Sequence, residues 1–163
     1  MAHYLVTGGA GFIGSNLVDR LLDLGHRVRV LDDFSTGRRG NLRDVRDRIE
    51  LFEGSICDAD ICARACEGVD VVLHHAAQVS VPASVTDPTA THRVNVDGMF
   101  QVLQAARKAG VRRLVNAGSS SVYGERQELA LREDTPPAPV SPYGATKAIG
   151  EIYCRAFSAA FAL

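Results

Sequence analysis

Short apolar runs of strand length alternate along the chain with segments whose apolar residues recur at helical spacing. Residues 3–7 form the first such run. The segment 12–24 follows, with Ile13, Leu17, Leu21 and Leu22 as its apolar stripe and Gly25 as its stop. A second strand is predicted at 27–32 (RVRVLD), then a polar loop at 34–41 (FSTGRRGN), a third strand at 48–53 (RIELFE) and a short helix at 58–67. Asp58 is the candidate N-cap of that helix. The fourth strand, 70–74 (DVVLH), is almost continuously apolar, as a strand covered on both faces should be. A loop containing Ser and Pro leads to a long helix at about 90–109, which Gly110 ends. A fifth strand is predicted at 112–117 (RRLVNA); residues 125–142, with four prolines, read as a long loop, and 143–161 as a final helix.

Strands alternating with helices imply right-handed crossovers, and so an α/β fold of Rossmann type, a parallel sheet with helices on both faces. A chain of 163 residues makes one domain. Ligands on such a sheet sit beyond the carboxyl ends of its strands. Here those ends carry Gly8–Gly14, Asp32, His74–Ala77 and Ser119–Ser121, which points to one shared groove.

The run LVTGGAGFIG (5–14) passes from strand through glycines straight into helix, with Gly8, Gly11 and Gly14 at G-x-x-G-x-x-G spacing. Such a turn lets backbone approach a pyrophosphate and aims a helix N-terminus at it. Alone, such a cluster is weak evidence, and a Gly-rich surface turn is the lesser alternative. Asp32 then closes the second strand 18 residues after Gly14, about where a dinucleotide fold places the carboxylate that takes the ribose hydroxyls. A net charge of -1 leaves no basic field for nucleic acid or an anionic membrane, so an acidic ligand must be held by local devices. Arg38 and Arg39 suggest the extra phosphate of NADP, but a carboxylate at Asp32 would repel it, which favours NAD.

Cys57, Cys62, Cys66 and Cys154 form no C-x-x-C pair and no metal-site spacing, and read as free thiols in a reducing compartment. Neither a signal-like N-terminus nor an 18-residue apolar run is visible, and the expectation is a cytoplasmic protein without a membrane segment.

Tyr143 and Lys147 lie four apart at a helix start, on one face. A phenol ionises near pH ~10 and a neighbouring ammonium favours the phenolate, so the pair suits a general base. A tyrosine and a solvated lysine with no chemistry are the plainer alternative. The serines at 119–121 follow the fifth strand directly, and Ser121, with Ser120 next, is the candidate hydroxyl for a substrate oxygen. Ser, Tyr and Lys without metal ligands suit hydride transfer rather than hydrolysis, which would call for a His/Asp partner and a G-x-S-x-G elbow. His74 and His75 point to opposite faces of a strand end, and hydrogen-bonded structural histidines are the favoured reading.

TGGAGFIG (7–14), DDFSTG (32–37), HHAAQVSVPASV (74–85), Asn95 in VNVDG, SSSVYG (119–124) and SPYGATKA (141–148) together resemble the extended short-chain dehydrogenase/reductases, in their NAD-dependent nucleotide-sugar epimerase/dehydratase branch. The resemblance implies that Gly8, Gly11, Phe12, Ile13 and Gly14 cradle the pyrophosphate and Asp32 the ribose. It places Asp33, Ser35, Thr36 and Gly37 at the adenosine end, and Ala76, Ala77 and Gln78 along the dinucleotide. Asn95 would be a structural and cofactor-side residue, Ser119 a cofactor-side one, and Ser121, Tyr143 and Lys147 the catalytic trio. Gly54-Ser55 departs from the family's Gly-Asp beside adenine; Ser55 would still hydrogen-bond there, with Ile56 as an apolar wall.

Members are roughly twice as long, so the resemblance implies that residues 1–163 are an NAD-binding domain lacking its last strand or strands and its small sugar-nucleotide domain. The stretch SVPASV and the triple serine, with no T-D-E, resemble a UDP-glucose or UDP-N-acetylglucosamine 4-epimerase more than a dehydratase. A UDP-sugar substrate and a homodimer in the full-length form are expected. A related nucleotide-sugar reductase, dehydrogenase or decarboxylase, or an inactive NAD-binding fragment, are the alternatives.

Overall fold

The computed structural model describes residues 1–126 and 130–163; part of the proline-containing loop expected at 125–142 lies outside them. Five parallel strands, β1 (His3–Thr7), β2 (Arg27–Asp32), β3 (Ile49–Glu53), β4 (Val71–His74) and β5 (Arg113–Asn116), form one sheet in the order β3-β2-β1-β4-β5. The chain direction across the sheet reverses between β1 and β4, where ligands of such folds bind.

Strand periodicity accounts for the two-sided core. Leu5 and Val6, neighbours on β1, are both fully buried but on opposite faces, as are Val30 and Leu31 on β2. On one face Val6, Val28 and Val30 meet Val18, Leu21 and Leu22 of α1 (Phe12–Asp23). On the other, Leu5, Leu31 and Val72 meet Cys62 and Cys66 of α2 (Ala59–Cys66) and Val102 and Ala106 of α5 (Met99–Lys108). Burial pushes both of these thiols up to about 12, so they stay protonated and act as small apolar side chains. Asp58 caps α2 as expected, accepting N–H bonds from Asp60 and Ile61. At the other end of α2, the buried Arg29 guanidinium donates to the carbonyls of Ala65 and Glu67 at 2.9 and 2.8 Å and pairs with Glu50.

The end of the loop read at 34–41, with the unassigned residues after it, and the loop read after the fourth strand are helical. Residues 39–48 form a 3-10 helix, because Leu42 and Val45, three apart, both bury against the α1 face of the sheet. The segment after β4 folds into α3 (Val81–Thr86) and α4 (Pro88–His92). Ser80 and Asp87 cap them, and each has a proline in its first turn. The long helix expected at about 90–109 is α4 and α5 joined through a π-helical turn at Arg93–Gly98. The last helix, α6 (Pro142–Phe161), starts one residue earlier than expected, on the Ser141 cap.

Candidate cofactor and catalytic site

Strand register brings the predicted residues to one edge. Thr7 lies opposite both Leu31 and His74, Asp32 opposite Glu53, and His74 opposite Asn116. Beyond this edge lies a cavity of about 460 Å³, within the range of small-molecule sites.

Its floor is the turn from β1 to α1. Gly8 has φ +69°, and a Cβ there would lie 2.7 Å from the Ala76 nitrogen; a Cβ on Gly14 would lie 2.1 Å from the Gly8 oxygen. The helix therefore sits directly on the turn, which no larger residue permits. Gly11 is the N-cap and offers no side-chain acceptor. The first intrahelical bond is Ser15 N–H to Gly11 O at 3.0 Å, so the amides of Phe12, Ile13 and Gly14 remain for an anion at the helix start. All of Gly8, Gly11, Phe12, Ile13 and Gly14 are on the cavity wall, and the Phe12 and Ile13 side chains form an exposed apolar lip.

At the β2 end Asp32 is buried. Its two carboxylate oxygens accept the N–H groups of Ala10 and Phe34, each at 2.8 Å. Each oxygen keeps further acceptor capacity, enough for a pair of ribose hydroxyls. Asp33, Ser35, Thr36 and Gly37 continue the wall, with the Asp33 carboxylate accepting from both N–H and O–H of Ser35. Arg39 lies over the Phe34 ring, 4.1 Å from its centre, and pairs with Glu53, so this guanidinium is already engaged.

The β3 end contributes Gly54 and Ile56 to the wall, whereas Ser55 is turned to accept the Cys57 N–H at 3.2 Å. Ala76, Ala77 and Gln78 line the cavity after β4, together with His75. Asn95 is not on this wall. Its Oδ1 accepts the Gln78 N–H and its Nδ2 donates to Gln78 O and Thr146 Oγ1, clamping the lining segment to α6. The π-helical turn is what places it there.

Tyr143 and Lys147 both reach the cavity. Ser141 accepts the Gly144 N–H, Pro142 fills the first turn, and the Tyr143 N–H donates to Ser84 Oγ at 3.1 Å, so the helix start is fixed on three sides. Lys147 Nζ donates to Ala117 O at 2.8 Å, and burial holds this ammonium below its ordinary pKa. The β5 end of the wall consists of Ala117 and Gly118. Ser119 comes next in the chain and caps a 3-10 turn at Ser120–Tyr123, its Oγ accepting the Ser121 N–H at 3.2 Å. Neither Ser119 nor Ser121 is on the wall, although a Cβ on Gly144 would lie 2.5 Å from Ser121 O, so the serine turn abuts the start of α6.

The histidines part as the strand pleat requires: His75 faces the cavity and His74 is buried, bonded to Thr7 Oγ1 at 2.8 Å. Val79 and Val94 add apolar wall that sequence reasoning missed, since isolated valines carry no local signal of a site.

A family model described as the NAD dependent epimerase/dehydratase family matches residues 4–163. The chain is 47% identical over 157 residues to a UDP-glucose 4-epimerase of Mycolicibacterium smegmatis, covering 94% of this chain and 50% of that protein. It is 40% identical over 159 residues to a dTDP-glucose 4,6-dehydratase of Mycobacterium tuberculosis, covering 94% and 48%. The crystal structure of Thermus thermophilus UDP-glucose 4-epimerase in complex with NAD superimposes with a TM-score of 0.91 at 40% identity, covering 99% of this chain and 52% of that one. The chain thus spans about half the length of the relatives it matches. With the glycine turn, the acidic strand end and the Tyr/Lys pair gathered round one cavity, the chain belongs to the NAD-dependent epimerase/dehydratase family.

Proposed function

We propose that the chain is the NAD-binding part of a UDP-sugar 4-epimerase. The observation that carries this reading is a single cavity with an uncapped helix start, a buried carboxylate and the Tyr143/Lys147 pair on its wall. The donor set fits NAD: amides of the first turn of α1 for the pyrophosphate, Asp32 for the adenosine ribose and Lys147 for the ribose beside nicotinamide. Held there, NAD would supply a reversible hydride acceptor for the sugar carbon. Tyr143 takes the proton of the sugar hydroxyl and gives it back to the oxygen, so no net proton leaves the site. Lys147, one helical turn further on, reaches the same wall with its ammonium fixed on Ala117 O at 2.8 Å.

Among the serines, Ser121 is assigned to the C4 oxygen, and Ser119, adjacent to the wall residue Gly118, is the competing candidate. Comparing S119A with S121A separates them: the substitution at the true contact lowers kcat, and the other does not. Ser55 contributes to the adenine end by a hydroxyl that has one acceptor position already taken. Epimerisation is preferred to dehydration because Ser120 and Ser121, neither able to serve as a carboxylic acid, stand where elimination of water would call for an acid/base pair. The relative that shares 47% identity is named a UDP-glucose 4-epimerase, which supports the same choice. The free thiols agree with a cytoplasmic setting. Ile152 and Phe161, exposed on α6, suit a homodimer contact in a longer form.

The test is interconversion of UDP-glucose and UDP-galactose by a protein carrying this chain together with a sugar-nucleotide domain. Y143F abolishes turnover while NAD remains bound; turnover surviving that change overturns the assignment. Net accumulation of NADH would point instead to a dehydrogenase.

A further inference from the structure

Behind Lys147, on the core side of the sheet edge, is a second cavity of about 10 Å³, room for roughly one water molecule. His74, Asn95, Asn116, Thr146 and Lys147 are its polar lining. Two of these are already satisfied by protein. Asn95 spends both amide hydrogens on Gln78 O and Thr146 Oγ1, and Thr146 Oγ1 donates to Tyr143 O at 2.7 Å. Capacity remains on His74 Nε2 and the Asn116 amide, neither of which bonds to a described residue, and on Lys147, which has given only one of three hydrogens, to Ala117 O.

The state of His74 follows from the bonds of its partner. Thr7 Oγ1 accepts the N–H groups of His75 and Ala76, both at 3.2 Å, which fills its two acceptor positions. Its single proton must then go to His74 Nδ1, 2.8 Å away. With Nδ1 an acceptor, a neutral imidazole carries its proton on Nε2. Burial opposes a second proton on this ring, and so do the nearby charge of Lys147 and, from the opposite face of the strand, that of His75.

We infer that His74 is a positioning residue for Lys147: its Nε2–H donates to one water molecule, which also accepts from the Lys147 ammonium and donates to Asn116 Oδ1. The glycine turn, through Thr7, is thereby coupled to the ammonium at the reactive end of the larger cavity. Gly150 keeps the space open, since a Cβ there would lie 2.9 Å from Met99 Sδ and 3.3 Å from Asn116 Nδ2. The bearing on catalysis rests on the role proposed above for Lys147, whereas the tautomer and the water do not.

Nitrogen-15 NMR of the histidine side chains in the free chain tests the first part, with His74 assigned from its loss in H74Q. A protonated Nε2 and an unprotonated Nδ1 from pH 8 to pH 5, with a cross-peak from Hε2 to water, are expected. A proton on Nδ1, ordinary titration near 6.5, or no water cross-peak overturns the inference. The second part is read from the Lys147 ammonium titration, followed by its carbon-13 Cε shift. T7V and H74L each shift that pKa by about 0.5 or more, and H74Q, which keeps an N–H donor, moves it less. Lys147 titrating unchanged in whichever of T7V and H74L folds overturns the positioning role. Failure of NAD to bind would sink the catalytic reading and leave the tautomer result standing.

Discussion

Asp32 shows how one buried side chain both holds a loop and stays available to a ligand. Its oxygens fasten Ala10 and Phe34, each next in sequence to a wall residue, while Asp32 itself lines the cavity. Removing it in D32A takes away a charged acceptor, and by the ~1.5–3 kcal/mol of such bonds NAD affinity falls at least about tenfold. Calorimetric titration checks this; affinity within twofold of the parent chain contradicts the assignment. His74 makes a prediction of a different kind. It binds a proton near 6.5 when unfolded and only near about 3 in the fold, with burial the main cause. Between those values the unfolded chain holds more protons, so stability is full above about 6.5 and declines as pH falls, by up to about 1.4 kcal/mol per pH unit. His3 and His75, also lowered by burial, act in the same direction. Urea midpoints at pH 7.5 and 5.5 test this, the lower pH giving the lower midpoint and H74Q a smaller drop; equal midpoints in the parent chain contradict it.

At the scale of elements, the site depends on helix starts. α1 has no side-chain cap, which leaves its amides to a ligand, whereas α6 is capped by Ser141 so that Tyr143 and Lys147 emerge at a fixed place. S141A is expected to lower stability by ~1 kcal/mol in urea unfolding. No loss would mean that Pro142 and the Tyr143-to-Ser84 bond fix the start unaided. Strands and long helices were legible because their apolar periods repeat. The 3-10 helix at 39–48 was not, having only Leu42 and Val45 to declare it. α3 and α4 are too short to show a period, yet Ser80 and Asp87 followed by early prolines are cap signals that sequence alone does contain. Asn95 was recognised by its motif, but its work as a clamp on Gln78 depends on a π-helical turn that no local pattern announces. The serine run was found as a strand end, but the 3-10 turn that follows takes Ser121 off the wall, because backbone direction after a strand is set by the turn and not by the strand.

In the whole molecule, parallel register decides where chemistry can occur. Four crossovers return every strand in one direction, so five carboxyl ends meet at one edge and residues as distant in sequence as Gly8 and Lys147 share a wall. The pattern of glycines, Asp32 and the Tyr/Lys pair was readable because each belongs to a strand end or a helix start. None of the described helices is long and apolar enough to cross a bilayer. The most direct test of the account is the set of contacts between bound NAD and the labelled chain, read as intermolecular nuclear Overhauser effects. The account predicts contacts from the nicotinamide protons to the Tyr143 ring and from the adenine protons to Ile56. Nicotinamide protons in contact with Ile56 and none with Tyr143 would contradict it.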